Sequence, residues 1–171
     1  MRKIGYNYQT DNIIALGIRG SSQCFSTCDW MFLSYYCQLY KVNDDPMIKQ
    51  YIEALGKEDV NKIFEWEAHR MQIQKWLFVQ NVPGLMKQEL ISKDKLKELL
   101  KTRPVIIGTK KMAGLPGGHI ILGVDVDGDN IICNDPYGNA LTNYKSKNGE
   151  NVQYVFEMFD SGKNIRGMWL E

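Results

Sequence analysis

Residues 117–138 read GGHIILGVDVDGDNIICNDPYG. A glycine pair precedes a histidine, and an apolar run follows. Asp127-Gly128 offers a turn, and a second apolar run ends in Asn134-Asp135-Pro136. Branched apolar residues on either side of an Asp-Gly dipeptide predict a β-hairpin. His119 opens its first strand, while Asn134 and Asp135 close its second. Folding back therefore brings an imidazole beside an amide or carboxylate that can orient it, two of the three parts of a nucleophilic triad.

Loop length decides the partner. A two-residue Asp127-Gly128 loop pairs Val126 with Asp129 and puts Asn134 on the His119 face. A three-residue Val126-Asp127-Gly128 loop, with Gly128 left-handed, sets Asp135 opposite His119. One residue of slip turns every side chain over. The shorter loop gives the cleaner apolar face (Ile120, Leu122, Val124, Val126, Ile131, Cys133), so periodicity leaves Asn134 and Asp135 both open.

A chain of 171 residues suits one domain, 1–171, with a substantial core. Its 44% hydrophobic and 24% charged residues are those of a globular protein. The net charge of +1, from 21 basic and 20 acidic residues, argues against a nucleic-acid partner or an anionic membrane surface. The start MRKIGYNYQTDN lacks the apolar core of a signal peptide, and Ile13 to Ile18 is too short to span a bilayer. The expectation is synthesis in a cytoplasm, no membrane insertion, and a monomer. The four cysteines, Cys24, Cys28, Cys37 and Cys133, are expected as thiols. Two histidines and no CxxC pair argue against zinc. Asp127 and Asp129 lack the downstream glutamate of a calcium loop. No cofactor is expected.

Upstream, residues 1–22 read as short strands and loop. TCDWMFLSYYCQLY predicts a helix buried on most sides, with Thr27 as N-cap and Cys28 in the first turn. Asp45-Pro46 opens a second helix that Gly56 ends. Asp59 caps a third helical stretch to about Leu77, on whose surface His69 sits among charges. Pro83-Gly84 breaks the chain, and Ser92 caps SKDKLKELLK. VIIGT, the hairpin and NVQYVFEMF are strands. Helices first and an antiparallel sheet second is the α+β pattern.

A thiol in the first turn of a helix is placed to ionise. The Cys28 N–H and the Gln23 side-chain amide offer two donors for an oxyanion. Cys24 is the rival thiol, with Arg19 and not glutamine at the matching upstream distance. Trp66, Trp76 and the tyrosines read as core.

The order of Gln23 and Cys28, the Pro104-Val-Ile-Ile-Gly108 strand, Gly118-His119, and Asn134-Asp135-Pro136-Tyr137-Gly138 resembles the papain-like cysteine peptidases of the bacteriocin-processing (double-glycine peptidase) group. The likeness is to free-standing members whose helix opens with a Thr-Cys pair, some of them in phage endolysins and cell-wall hydrolases. It runs from Ser22 to Phe159 and is concentrated in 22–36, 103–109 and 117–138. It implies a papain-like fold with Cys28 as nucleophile, His119 as general base, Asp135 as orienting acid and Gln23 as oxyanion donor. Two departures are Asp29, where a small residue often follows the cysteine, and a Gln-to-Cys spacing one residue short. The implied function is a phage-type endolysin cutting peptidoglycan stem peptides or cross-bridges, released from the cytoplasm by another protein. The alternatives are a peptidase acting on a protein or leader peptide, and an inactive peptide-binding relative. Residues 57–90 and 160–171 carry no role beyond packing and lining a groove.

Overall fold

In a computed structural model, which describes residues 1–38, 45–109, 112, 115, 117–159 and 165–171, the elements follow in the order α1 (Cys24–Tyr36), α2 (Asp45–Gly56), α3 (Trp66–Val79), β1 (Met86–Ile91), α4 (Lys93–Thr102), β2 (Val105–Thr109), β3 (His119–Asp127), β4 (Asn130–Asn134), β5 (Val152–Val155) and β6 (Ile165–Leu170). The strands form one antiparallel sheet in the order β1-β6-β2-β3-β4-β5. The fold is α+β, as the run of helices before strands predicts.

The sheet is covered on both faces, because strand side chains alternate. Ile106, Leu122, Val124 and Met168 join α1, α2 and α3 in one core. Val105, Ile107, Ile121, Cys133, Tyr154 and Trp169 join Leu96, Leu99 and Leu100 of α4 in the other. Ser92 caps α4 as expected, its hydroxyl accepting from the Lys95 amide at 3.2 Å. Asp59 also caps, through the Asn61 amide at 2.9 Å, but the turn it opens is the short 3-10 turn Val60–Phe64 before α3.

Four expectations need correction. Helix α1 begins at Cys24, with Gln23 and not Thr27 at the N-cap. Thr27 lies inside the helix, its hydroxyl donating to the Gln23 carbonyl at 2.7 Å, so the local side-chain bond that suggests a cap is spent within the first turn. Leu39 and Tyr40, read as the end of this helix, lie outside the described residues. His69 is buried, not on a helix surface. Met86–Ile91 is a strand that pairs with β6, where no strand is expected. NVQYVFEMF is a strand only over Val152–Val155, then a 3-10 turn at Phe156–Met158.

The hairpin adopts neither register considered above. Asp127 faces Asn130 across a two-residue Gly128-Asp129 loop, and Gly128 takes φ +56°, which a glycine at the first position of such a turn adopts without strain. Further on, Gly123 faces Cys133 while Asp125 faces Ile132, leaving Val124 as an extra residue. This bulge reverses the facing of the strand. Arg2 holds it, donating from Nη1 to the carbonyls of Val124 at 2.7 Å and Leu100 at 2.6 Å. Beyond the bulge, Asp135 shares the face of His119.

Candidate active site

The hairpin delivers its two polar ends as a bonded pair. His119 Nε2 lies 2.7 Å from Asp135 Oδ1, with the imidazole almost wholly buried and the carboxylate fully so. Asn134 is turned away, its carbonyl oxygen accepting from the Asn151 amide at 3.0 Å and its amide donating to the Ile4 carbonyl at 3.5 Å.

Asp135 is saturated with donors. The Tyr137 amide reaches Oδ1 at 2.9 Å, and the Tyr154 hydroxyl reaches Oδ2 at 2.8 Å. The Tyr144 hydroxyl approaches Oδ2 at 3.4 Å. Its backbone is equally fixed, since Tyr6 donates to the Asp135 carbonyl at 2.9 Å and the Asp135 amide to Gly149 at 2.9 Å. Burial, and then the Asp135 charge, push the Tyr144 and Tyr154 hydroxyls above the ordinary tyrosine range. They therefore stay protonated and donate. Tyr137 and Tyr144 stand edge-on to the imidazole, each with its ring centroid 6.3 Å from that of His119.

The thiol that meets this imidazole is Cys24. Burial disfavours the charged imidazolium, but hydrogen bonds to Asp135 and to Cys24, with their charges, overcome it and push His119 up to about 10. With Nε2 engaged by Asp135, Nδ1 is the nitrogen left for the thiol. Cys24 is partly exposed and is the first residue of α1, where backbone N–H groups lack helical partners.

Cys28 lies one turn further in, fully buried, with Sγ 3.4 Å from the Ile120 carbonyl oxygen. Burial drives its thiol well above the ordinary value, and the nearby Cys24, Asp29, Asp135 and Cys133 add to the effect. A thiolate there is disfavoured on every side. Gln23 is equally committed elsewhere. Its Nε2 donates to the carbonyls of Ile13 at 3.0 Å and Ile18 at 3.1 Å, and its Oε1 accepts from Asn12 at 3.2 Å. It ties the N-terminal loop to the helix start. Of the residues singled out by sequence, the structure thus brings together His119 and Asp135, and engages Cys28 and Gln23 with other partners.

A glutamine that sequence reasoning passed over is tied to the Asp135 loop. Gln9 is buried; its amide N–H bonds the Pro136 carbonyl at 2.8 Å and its Nε2 bonds Ser21 at 2.8 Å. It bridges the residue after Asp135 and the turn before Cys24. Nε2 carries a second proton.

A second buried cluster also escaped the sequence reading. Asp29 Oδ2 accepts from the Tyr51 hydroxyl at 2.6 Å and meets His69 Nδ1, and His69 Nε2 lies 2.8 Å from the Ile63 carbonyl. The His69 ring stacks on Phe25, centroids 3.6 Å apart. Asp29 therefore points into the helical core and away from the thiol side of α1. Among the described residues no group of three or more His, Cys, Asp or Glu side chains is gathered to hold a metal, and no helix is long and apolar enough to cross a membrane.

The sequence profile of the family described as papain-like cysteine protease AvrRpt2 matches residues 2–149. The chain belongs to that family. The papain-like fold is also that of a crystal structure described as a C39-like peptidase from Bacillus anthracis. That structure superposes with a TM-score of 0.58 at 15% identity, over 96% of this chain and 94% of the other. No curated protein sequence matches the chain. In this papain-like peptidase Cys24 and Cys28 lie on α1, His119 on β3 and Asp135 in the loop after β4.

Proposed function

We propose that the protein hydrolyses amide bonds with Cys24 as nucleophile, His119 as proton carrier and Asp135 as the carboxylate that orients it. The observation that carries this reading is the 2.7 Å bond of His119 to Asp135 together with the partly exposed Cys24 thiol at the start of α1, which is among the groups that raise His119. Cys24 passes its proton to His119 Nδ1 and attacks the carbonyl carbon. The oxyanion is met by the Cys24 N–H and the free proton of Gln9 Nε2, donors fixed before reaction. Collapse breaks the C–N bond as His119 protonates the leaving amine. Water then attacks the thioester and gives its proton to His119, and the acid leaves with the thiol restored.

For the substrate we propose the peptide portion of peptidoglycan, cut by a phage-type endolysin. This is supported by the likeness of 22–36, 103–109 and 117–138 to free-standing members found in such enzymes. The second reading is a peptidase acting on a protein or leader peptide. Digestion of purified peptidoglycans of several cross-link types, read by mass spectrometry, tests both. Fragments split at one amide bond, absent with Cys24→Ala and retained with Cys28→Ala, are expected. Loss of cleavage with Cys28→Ala alone would return the nucleophile to Cys28. Intact peptidoglycan beside a Cys24 that alkylates at low pH would turn the search to protein substrates.

A further inference from the structure

The sheet end that carries His119 also carries a fixed cation. Gly108 on β2 is opposite Ile120 on β3 and opposite Arg166 on β6. Directly opposed residues share a face, so Arg166, Gly108 and Ile120 form one row on the face that α1 and Trp66 cover, at the strand ends where His119 begins β3 on the alternate face. Neighbouring strands lie about 4.8 Å apart, which puts the Arg166 backbone about 10 Å from that of Ile120.

Gly108 has no side chain, and its space is filled by Trp66. A Cβ on Gly108 would come within 2.3 Å of Trp66 Cζ2. The indole lies against the bare strand, its ring 4.6 Å from that of Phe25, the residue after Cys24. The Arg166 guanidinium stands over the same indole at 5.5 Å from its centroid. Trp66 therefore links the nucleophile's helix to the cation.

Arg166 is exposed, and among the described residues no carboxylate pairs with it. Arg2, Arg70 and Arg103 are held by Asp125 and backbone carbonyls, by Glu67, and by Leu170 respectively. A guanidinium resting on an indole face keeps its hydrogen-bonding fork outward and loses little freedom on meeting a planar anion.

We propose that Arg166, seated on Trp66, is a carboxylate-recognising subsite of the Cys24 cleft. Resting on the hydrolase reading above, it selects peptides with a free carboxylate two or three residues from the cleaved bond, since an extended peptide advances about 3.3 Å per residue. An acidic side chain and a chain-terminal carboxylate offer the same chemistry.

The test needs no known substrate. Epoxysuccinyl ethyl ester dipeptides are prepared in matched forms: Glu with terminal amide, Gln with terminal acid, and Gln with terminal amide. Cys24 opens the epoxide, forming C–S as C–O breaks and the oxygen takes a proton. Labelling rates are read by mass spectrometry. One carboxylate form is expected to label about tenfold faster than the neutral form, the effect of a charge-assisted bidentate contact. Arg166→Gln should bring that ratio close to one, and Arg166→Lys should keep part of it. The faster form shows whether the carboxylate is a side chain or a terminus. An undiminished ratio in Arg166→Gln, or equal rates for all three probes with the unaltered protein, overturns the subsite while leaving the Cys24 reading intact. No labelling of Cys24 by any probe removes that reading and the subsite with it.

Discussion

Replacing Asp135 by Asn tests the link between the hairpin and the proposed nucleophile, Cys24. The substitution keeps the shape of the side chain and most of its contacts. Oδ1 can still accept from His119 and the Tyr137 amide. The new amide would face the Tyr154 hydroxyl, which can turn its proton toward the Gly138 carbonyl, 3.4 Å away. What disappears is the charge. His119 is pushed up to about 10 because Asp135 and Cys24 outweigh burial. Against an ordinary histidine this is a preference for imidazolium of about 5 kcal/mol. With the carboxylate gone, burial remains, and the imidazolium loses its larger support. The expected cost in kcat/KM is about 10²–10⁴-fold, the range for losing an oriented proton carrier. The direct assay is iodoacetamide alkylation of Cys24 from pH 4.5 to 9.5, with peptide mass spectrometry. In the unaltered protein the thiolate–imidazolium pair should react well at pH 6. In Asp135→Asn the rate at pH 6 should fall toward that of an ordinary thiol, of which about 0.3 per cent is thiolate there. Superimposable profiles for the two proteins, both folded by circular dichroism, would refute the argument.

Three further outcomes follow from buried contacts. His69→Leu leaves the fully buried Asp29 carboxylate with Tyr51 alone and should cost about 3–5 kcal/mol in urea unfolding, whereas Asp29→Leu with His69→Leu should recover much of it; a loss below about 1 kcal/mol in the single variant would contradict this. His119 is raised from 6.5 to about 10 in the folded state. Its stabilising contribution is therefore full below about pH 6.5 and lost as pH rises through about 10, so the urea midpoints of the protein and of His119→Gln should converge over that window. Gly108→Ala drives a methyl into Trp66 and should cost about 1–3 kcal/mol with a shift in tryptophan emission; unchanged emission and stability would mean the indole does not rest on the strand.

The α+β class was legible because three helices precede the strands and only β1 comes before the last helix, α4. The His119–Asp135 pairing was legible only as one of two registers. The Val124 bulge explains why. It lets the outer hairpin keep a two-residue loop and the inner hairpin face Asp135 toward His119, which no uniform register does. Strand β1, MKQELI, was hidden because it sits at the sheet edge, where Lys87 and Glu89 mask any alternation. Its partner β6 is nearly 80 residues away. His69 was misread from its neighbours Glu67 and Arg70, which pair with each other on the surface. Yet His69, Ile73 and Leu77 recur at four-residue spacing and are all buried. The stripe was present, and the polar residue type obscured it.

The choice between two cysteines turns on where α1 begins, and that start is set by contacts outside the helix. Cys24 and Cys28 are four residues apart and so lie on one face, both toward the strand that carries His119 and Ile120. Local signals favour Thr27 as the cap, because a threonine before an apolar run is an ordinary helix start. The opposing signal is tertiary. Gln23 spends both amide protons on Ile13 and Ile18, and Asn12 reaches Gln23 and Thr27 together. These bonds hold the N-terminal loop across the first turn and carry the helix back to Cys24. The same turn of extension that exposes Cys24 beside His119 buries Cys28 on the Ile120 carbonyl. On the reading proposed above, Gln23 acts by fixing where the thiol-bearing helix begins. Gln23→Ala should accordingly lower Cys24 alkylation at pH 6 by loosening the helix start, and Gln9→Ala should lower turnover while leaving that alkylation in place. The reverse pattern would make Gln23 the oxyanion donor after all.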